Sequence, residues 1–404
     1  MKKRLLFLFL AVLLLILLSF VVHKAKSGKD FIPPDLRESL NIVLFTIDTL
    51  RADHLECYGY DRIKTPHINR LAAEGTLFKH VISPTPLTLP AHSSIFTGTY
   101  PLFHGVRDNG GFYLDPKHVT LAEMLKDKGY TTGAFVGAFV LDSRWGVDQG
   151  FDHYFDNFDL TKYKKISLDT VQRRGDEVLE EARSWIGGND QGKFFAWIHL
   201  YDPHTPYDPP EPYKTQYKGG PYSLYDGEIA YVDELIGGFL EFLEARNLSG
   251  RTLIIFTADH GEMLGEHKES AHGFFIYDAA VRVPLIFHLP GGAAGRGREV
   301  SRQVSSVDIM PTVIDLVGAA APPAVQGESL VPLLRERGVK AEPAAYSETF
   351  FPRYHYGWSE LRSLRQDRFK FIDAPRPELY DVLADPGELR NLINERASLG
   401  HEMK

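Results

Sequence analysis

The sequence predicts an α/β fold built on a mostly parallel sheet, and three observations carry that prediction. Five near-continuous apolar, β-rich runs read as strands buried on both faces: NIVLFTI (41–47), TTGAFVGAF (131–139), KFFAWIHL (193–200), RTLIIFTA (251–258) and VPLIFHL (283–289). Segments of helical spacing alternate with them, among them TLAEMLKDKG (120–129) and DGEIAYVDELIGGFLEFLEARN (226–247), as strand–helix–strand units require. Acidic and imidazole residues directly follow three of the runs, and such sheets bind ligands beyond the carboxyl ends of their strands.

Residues 1–24, MKKRLLFLFLAVLLLILLSFVVHK, place three basic residues before 18 apolar or small ones, Leu5 to Val22, which just reaches the length that spans a bilayer. VVHKAKSG follows without a small-x-small cleavage site, so an uncleaved signal-anchor is expected, with the remaining chain outside the cytoplasm. A cleaved signal and a secreted protein are the alternative. Residues 25–40 read as a linker, 41–335 as the main domain. VSSVDIMPTVIDLVG (304–318) is a further helical segment, followed by a Pro/Ala-rich stretch. Residues 336–404 change character, with SLRQDRFKFI (363–372) and ELYDVLADPGELRNLI (378–393), and read as a small α+β subdomain. The 404 residues carry a net charge of −8 without a Lys/Arg block, which gives no reason to expect nucleic-acid binding. Cys57 stands alone, which excludes a disulfide framework and a thiolate metal cluster.

The run 41–47 is followed by Asp48, the run 193–200 by Asp202 and His204, and the run 251–258 by Asp259 and His260. Singly, each has a plain role: Asp48 as a cap, His204 as a satisfied loop residue. Together, acids and imidazoles crowded on one edge repel or lose solvation unless a cation compensates them, so a metal site is the simplest account. TLPAHSSIFTG (88–98) poses a second choice. It reads locally as a helix start, with Thr88 as N-cap, Pro90 in the first turn and Gly98 as terminator. It also reads as a hydroxyl presented at a helix N-terminus, where an incoming anion is stabilised.

NIVLFTIDTLRADHLECYGY, TLPAHSSIFTGTYPLFHGVRDN, HLYDPHTPY, FTADHGEMLGEH, SSVDIMPTVIDLVG and ELYDVLADPGELRNL occur in that order. Together they resemble the sulfatase family of the alkaline phosphatase superfamily over residues 41–393. The resemblance implies an α/β/α sandwich, a divalent metal at the strand ends, and transfer or hydrolysis of sulfuryl or phosphoryl esters. It implies Asp48, Asp259, His260 and Thr88 as metal ligands, Thr88 as nucleophile, and His204 as a contact to the transferred group or leaving oxygen. Arg51 is a candidate to orient the metal carboxylates, or a solvated helix-start residue.

The departures from that pattern matter. The nucleophile position holds Thr88 rather than the Cys or Ser converted to formylglycine. Ala91 and His92 replace the Ser and Arg of the C-x-P-S-R signature, and Ala138 and Val140 fall where a K-W-H block has Lys and His. A Thr nucleophile beside an Asp-His pair is similar to the phosphodiesterase and phosphotransferase branches of the superfamily. Asn109 falls at those enzymes' oxyanion-binding asparagine, and His272 falls where many sulfatases have Lys. His204 and His272 are therefore either ligands of a second metal or hydrogen-bond donors to substrate.

The mixed nitrogen and oxygen ligand set suits zinc or manganese better than calcium. The expected protein is a phosphoester or phosphodiester hydrolase or transferase, anchored to the membrane by its N-terminal helix. Its substrate is a small-molecule, glycan or lipid ester. A sulfatase independent of formylglycine and a catalytically silent binder of anionic glycan or lipid are the alternatives. Residues 150–180, 205–225 and 345–360 read as loops that set specificity, and FFPRYHYGW (350–358) reads as aromatic packing between the subdomains.

Overall fold

The computed structural model describes residues 31–404 other than 165, 169–170, 293–295 and 336–342. The expected membrane helix (1–24) and residues 25–30 of the linker lie outside the described residues. Among the described residues no helix is long and apolar enough to cross a membrane. Residues inside the expected linker form a short helix, α1 (Pro34–Ser39), flanked by buried Ile32 and Leu40. Residues 31–40 of that stretch are therefore part of the folded body.

The main sheet has eight strands: β1 (Asn41–Ile47), β2 (Thr76–Ile82), β3 (Thr131–Val136), β4 (His153–Phe155), β5 (Phe194–Leu200), β6 (Thr252–Ala258), β7 (Arg282–His288) and β8 (Arg298–Ser305). Their order is β4-β3-β5-β1-β6-β7-β2-β8. Pairing is parallel except where β7 runs antiparallel to both β6 and β2. Helices α2 (Pro66–Glu74), α3 (Thr88–Thr97), α4 (Leu121–Asp127), α5 (Gly175–Asn189), α6 (Ser223–Ala245) and α7 (Ile309–Leu316) belong to the same body. Every residue of β1, β5 and β6 is buried, which is why these strands read as unbroken apolar runs. Thr120 starts α4 with a reciprocal capping box to Glu123.

Register positions the site. Ile47 of β1 lies opposite Leu200 of β5 and Ala258 of β6, so Asp48 and Asp259 leave the sheet at one level. The Asp48 N–H donates to the Leu200 carbonyl at 2.9 Å and continues the ladder one residue past the strand. Helix α3 lies under this edge with all ten of its residues buried. It is locked to β5 by Phe96, whose ring packs edge-on against Trp197 at 4.6 Å, a pair worth about 0.5–1.5 kcal/mol beyond its buried area. Gly98 ends α3 in the left-handed region (φ 63°), and its N–H donates to the Ser94 carbonyl at 2.9 Å.

The C-terminal part is a four-stranded antiparallel sheet, β9 (Ala345–Thr349), β10 (Leu361–Gln366), β11 (Phe369–Asp373) and β12 (Glu378–Asp381), with helices α8 (Phe351–Tyr356) and α9 (Ala397–Met403). It is tied to the segment that leads into α3: the Glu348 N–H donates to the Pro84 carbonyl at 2.8 Å, and Ser347 Oγ to the Ser83 carbonyl at 2.7 Å. The stretches expected as loops are only partly so, since they contain β4, the start of α5, the start of α6, β9 and α8.

Candidate active site

Asp48, Asp259 and His260 are fully buried, and their ligand atoms lie within 4.8 Å of one another. His260 Nε2 is 3.8 Å from Asp48 Oδ1 and 3.5 Å from Asp259 Oδ2. No hydrogen bond reaches either Asp48 oxygen or Asp259 Oδ2. Burial pushes the Asp48 carboxyl up to about 8, opposed by His272, and pushes Asp259 well above the carboxylate range, with Asp48 adding to the effect. Burial likewise holds His260 well below the usual histidine range, so it offers a neutral imidazole. Bare carboxylate oxygens beside a neutral imidazole in a dry interior cost about several kcal/mol unless a cation joins them. The donor set therefore fits a divalent metal, with Asp48, Asp259 and His260 as protein ligands.

A second buried group, His92, His199 and Asp259, has the same spacing. Its geometry is less suited to a cation, because both His92 nitrogens are engaged: Nδ1 lies 2.8 Å from the Thr88 carbonyl and Nε2 2.9 Å from Thr46 Oγ1. His199 lies behind Asp48, with Nε2 3.4 Å from Asp48 Oδ2.

Thr88 is the first residue of α3 rather than its cap; Leu87 holds the cap position, and no side chain of its own caps the helix. The Thr88 hydroxyl sits 3.3 Å from His260 Nε2. The capping function comes from another loop: Asn109 Oδ1 accepts the Leu89 N–H at 2.9 Å. Asn109 is thus held at the open end of α3 with its amide NH₂ left to donate.

His272 and His204 meet in a T-shaped contact at 5.1 Å, and the His272 ring lies 4.5 Å from that of His260. His272 Nδ1 donates to Glu262 Oε1 at 3.0 Å. Burial lowers the His272 pKa, but Glu262, Asp48 and Asp259 outweigh it and hold the imidazole up at about 9. Burial, reinforced by His272, drops His204 to about 3. His204 Nδ1 contacts the Thr205 carbonyl at 2.5 Å, and its ring stacks on Tyr201 at 4.3 Å. Among the described residues, His204 and His272 belong to neither group with metal-ligating spacing.

Two residues expected near the edge turn elsewhere. Asp202 accepts the Gly175 N–H at 2.9 Å and serves the start of α5. Arg51 pairs with Asp53 at 2.8 Å and Glu266 at 2.7 Å, and donates to the Glu262 carbonyl at 3.1 Å. It braces the loop after β6 and does not touch the metal carboxylates through a hydrogen bond. Sequence reasoning missed Glu262 and His199. Glu262 stands two residues after His260 in DHGE and was open to notice; His199 lies inside an apolar strand, and only the register of β5 against β1 reveals it.

An edge of this kind holds a divalent cation beside a hydroxyl and an esterified oxyanion, and the fold around it is that of the alkaline phosphatase superfamily, metal-dependent hydrolases of sulfuric and phosphoric esters. Within that class the chain belongs to the sulfatase family: the Sulfatase model matches residues 40–319, and a second model, N-sulphoglucosamine sulphohydrolase C-terminal, matches residues 265–403. The chain is 27% identical to an ulvan-active sulfatase of Formosa agariphila, over 88% of this chain and 77% of the relative. It is 25% identical to the multifunctional alkaline phosphatase superfamily protein PehA of Trinickia caryophylli, over 88% of this chain and 92% of that one. A phosphonate monoester hydrolase of Agrobacterium radiobacter superposes with a TM-score of 0.78 at 25% identity, covering 90% of this chain and 94% of the other.

Proposed function

We propose that the protein hydrolyses or transfers a singly charged oxyanion ester, a phosphodiester in the first place, with Thr88 as nucleophile. The observation that carries this reading is the Thr88 hydroxyl, buried at the N-terminus of α3 and 3.3 Å from His260 within the carboxylate cluster. A divalent metal held by Asp48, Asp259 and His260, with Thr88 beside it, supplies Lewis acidity that lowers the hydroxyl pKa and polarises the ester. Zinc and manganese suit these ligands.

The side chains divide the remaining work. Thr88 Oγ1, its hydroxyl proton released to solvent, forms a bond to the central phosphorus as the bond to the leaving oxygen breaks, giving a threonine phosphoester that keeps the substrate's other ester group. The Asn109 amide and the first N–H groups of α3 stabilise the charged equatorial oxygens. His272, held as a cation by Glu262, protonates the leaving oxygen. Water or an acceptor alcohol then takes the phosphoryl group and regenerates the Thr88 hydroxyl.

Charge supports the monoanion. Arg51 is spent on Asp53 and Glu266, and Arg107, near Asn109, pairs with Glu348 at 3.0 Å. Among the described residues, His272 is the cation that faces the cluster. Phosphodiesters and sulfate monoesters both carry one charge at the transferred group, whereas phosphate monoesters carry nearly two. The similarity to the phosphonate monoester hydrolase supports the phosphoryl side, and the similarity to the ulvan-active sulfatase supports sulfate esters as the second reading.

The test compares wild type and Thr88→Ala on aryl phosphodiester, aryl phosphate and aryl sulfate. Thr88→Ala is expected to lose turnover on all three, and wild type to prefer the diester. Retained turnover in Thr88→Ala removes Thr88 from the mechanism. A preference for the sulfate ester, with Thr88 unmodified by intact-protein mass spectrometry, establishes the formylglycine-independent sulfatase instead. The N-terminal segment supports a further proposal, a membrane-anchored enzyme facing away from the cytoplasm, tested by alkaline carbonate extraction of membranes and protease protection.

A further inference from the structure

His92 shares helix α3 with Thr88 and has no part in the chemistry above. We propose that His92 is a positioning residue, which fixes the first turn of α3, and so the Thr88 hydroxyl, through one defined tautomer. The proposal rests on Thr88 as nucleophile.

The direction of every hydrogen bond around His92 follows from the donors available. Nδ1 lies 2.8 Å from the Thr88 carbonyl, which can only accept, so Nδ1 carries the ring proton. Nε2 is then bare, and it accepts from Thr46 Oγ1 at 2.9 Å. That hydroxyl has given its proton away and keeps lone pairs, which receive the indole N–H of Trp197 at 2.9 Å. The chain therefore runs Trp197 Nε1–H to Thr46 Oγ1–H to His92 Nε2, then His92 Nδ1–H to the Thr88 carbonyl. It joins β5, β1 and α3, and its members are buried.

Placement explains why this matters for Thr88. Thr46 stands two residues before Asp48 on β1. The relay thus ties the residue that carries the hydroxyl to the strand that carries the first metal carboxylate. The imidazole has little freedom, with its ring 5.2 Å from Trp197 and 5.1 Å from His199. A nucleophile displaced by about 1 Å loses turnover on the order of 10²-fold, so a fixed first turn acts on kcat more than on binding.

The two side-chain amides separate positioning from filling. Asn places an amide nitrogen where Nδ1 sits and keeps a donor to Thr88; Gln reaches the place of Nε2 and keeps only Thr46, although it is closer to His in volume. On the best aryl ester, His92→Asn is expected within about 5-fold of wild-type kcat, and His92→Gln down on the order of 10²-fold with KM little changed. Thr46→Val, which strips the acceptor from Trp197 and the donor from Nε2, is expected to lose about tenfold in kcat, and Thr46→Ser to recover it. Nitrogen-15 shifts of His92 in the metal-loaded protein, identified by their absence in His92→Asn, are expected to show a protonated Nδ1 and a bare Nε2.

Equal turnover in the Asn and Gln variants, or a larger loss in Asn, overturns the proposal while a dead Thr88→Ala leaves the nucleophile reading standing. A proton found on Nε2 also overturns it, and this readout together with the Thr46 pair decides the matter if both His92 variants misfold. Full turnover in Thr88→Ala removes the nucleophile and the proposal with it.

Discussion

At the carboxyl edge of the main sheet, Asp48 and Asp259 are buried with three carboxylate oxygens that receive no hydrogen bond. At the junction with the C-terminal sheet, Asp278 and Glu388 are also buried, yet each acid meets a cation. Lys370 Nζ lies 3.0 Å from Asp278 Oδ1 and 2.9 Å from Glu388 Oε1, and Arg365 Nη1 lies 2.5 Å from Asp278 Oδ2. Both clusters put carboxylates in a dry interior. The junction brings its own counter-charge and is complete when the chain folds. The strand-end cluster faces imidazoles that burial keeps neutral, apart from His272, whose charge Glu262 already claims. Its balance has to come from an ion.

The sharpest way to break the contrast is Asp48→Asn. It is expected to abolish metal binding, measured by elemental analysis, and to lower kcat by at least about 10³-fold, since Lewis-acid stabilisation is worth several kcal/mol. Normal metal content and turnover in this variant would falsify the strand-end site. Next in size is Lys370→Met at the junction. Removing one partner from a buried ion network costs about 3–5 kcal/mol, read from urea unfolding, while metal content stays at the wild-type value.

Chelation discriminates the two clusters again. Stripping the metal is expected to lower stability by about 3–4 kcal/mol relative to protein held at 10²–10³ times the metal Kd, and Lys370→Met is expected to show the same decrement as wild type. The smallest effect is a difference in the sign of the pH dependence. In chelated protein the Asp48 carboxyl is raised to about 8 from its ordinary value of 3.8, so stability present at low pH is lost as pH climbs through that window. Arg365 and Lys370 overcome burial and hold Asp278 below its ordinary 3.8, so its contribution is present above that value and lost as pH falls beneath it. Thermal melts of chelated protein from pH 2 to 9 check both limbs; Asp48→Asn is expected to reduce the alkaline limb, to which the raised Glu388 carboxyl at the junction also contributes, and Asp278→Asn the acid one.

The strands that sequence revealed are those with both faces covered. β1, β5 and β6 read as apolar runs because nothing on them meets water. β2 and β8 escaped notice because their solvent-facing positions are polar: TLFKHVI carries Lys79 and His80 at its half-buried middle, and REVSRQVS is an edge strand. VPLIFHL was legible as a strand but not as the one that reverses direction, since periodicity carries no polarity. At the site, Asp48, Asp259, His260 and Thr88 were legible from motifs in order. The direction in which a side chain leaves its loop was not, so Asp202 was expected at the edge and instead serves α5. Asn109 was expected as an oxyanion-binding residue, and its carbonyl oxygen also anchors the first turn of α3.

The complete burial of α3 has a consequence for how this protein can change over time. A helix with ten buried residues offers no outward position at which a substitution is harmless. Drift therefore accumulates in the surrounding loops and the C-terminal sheet, where exposed positions tolerate it. The reacting hydroxyl stays insulated from that drift.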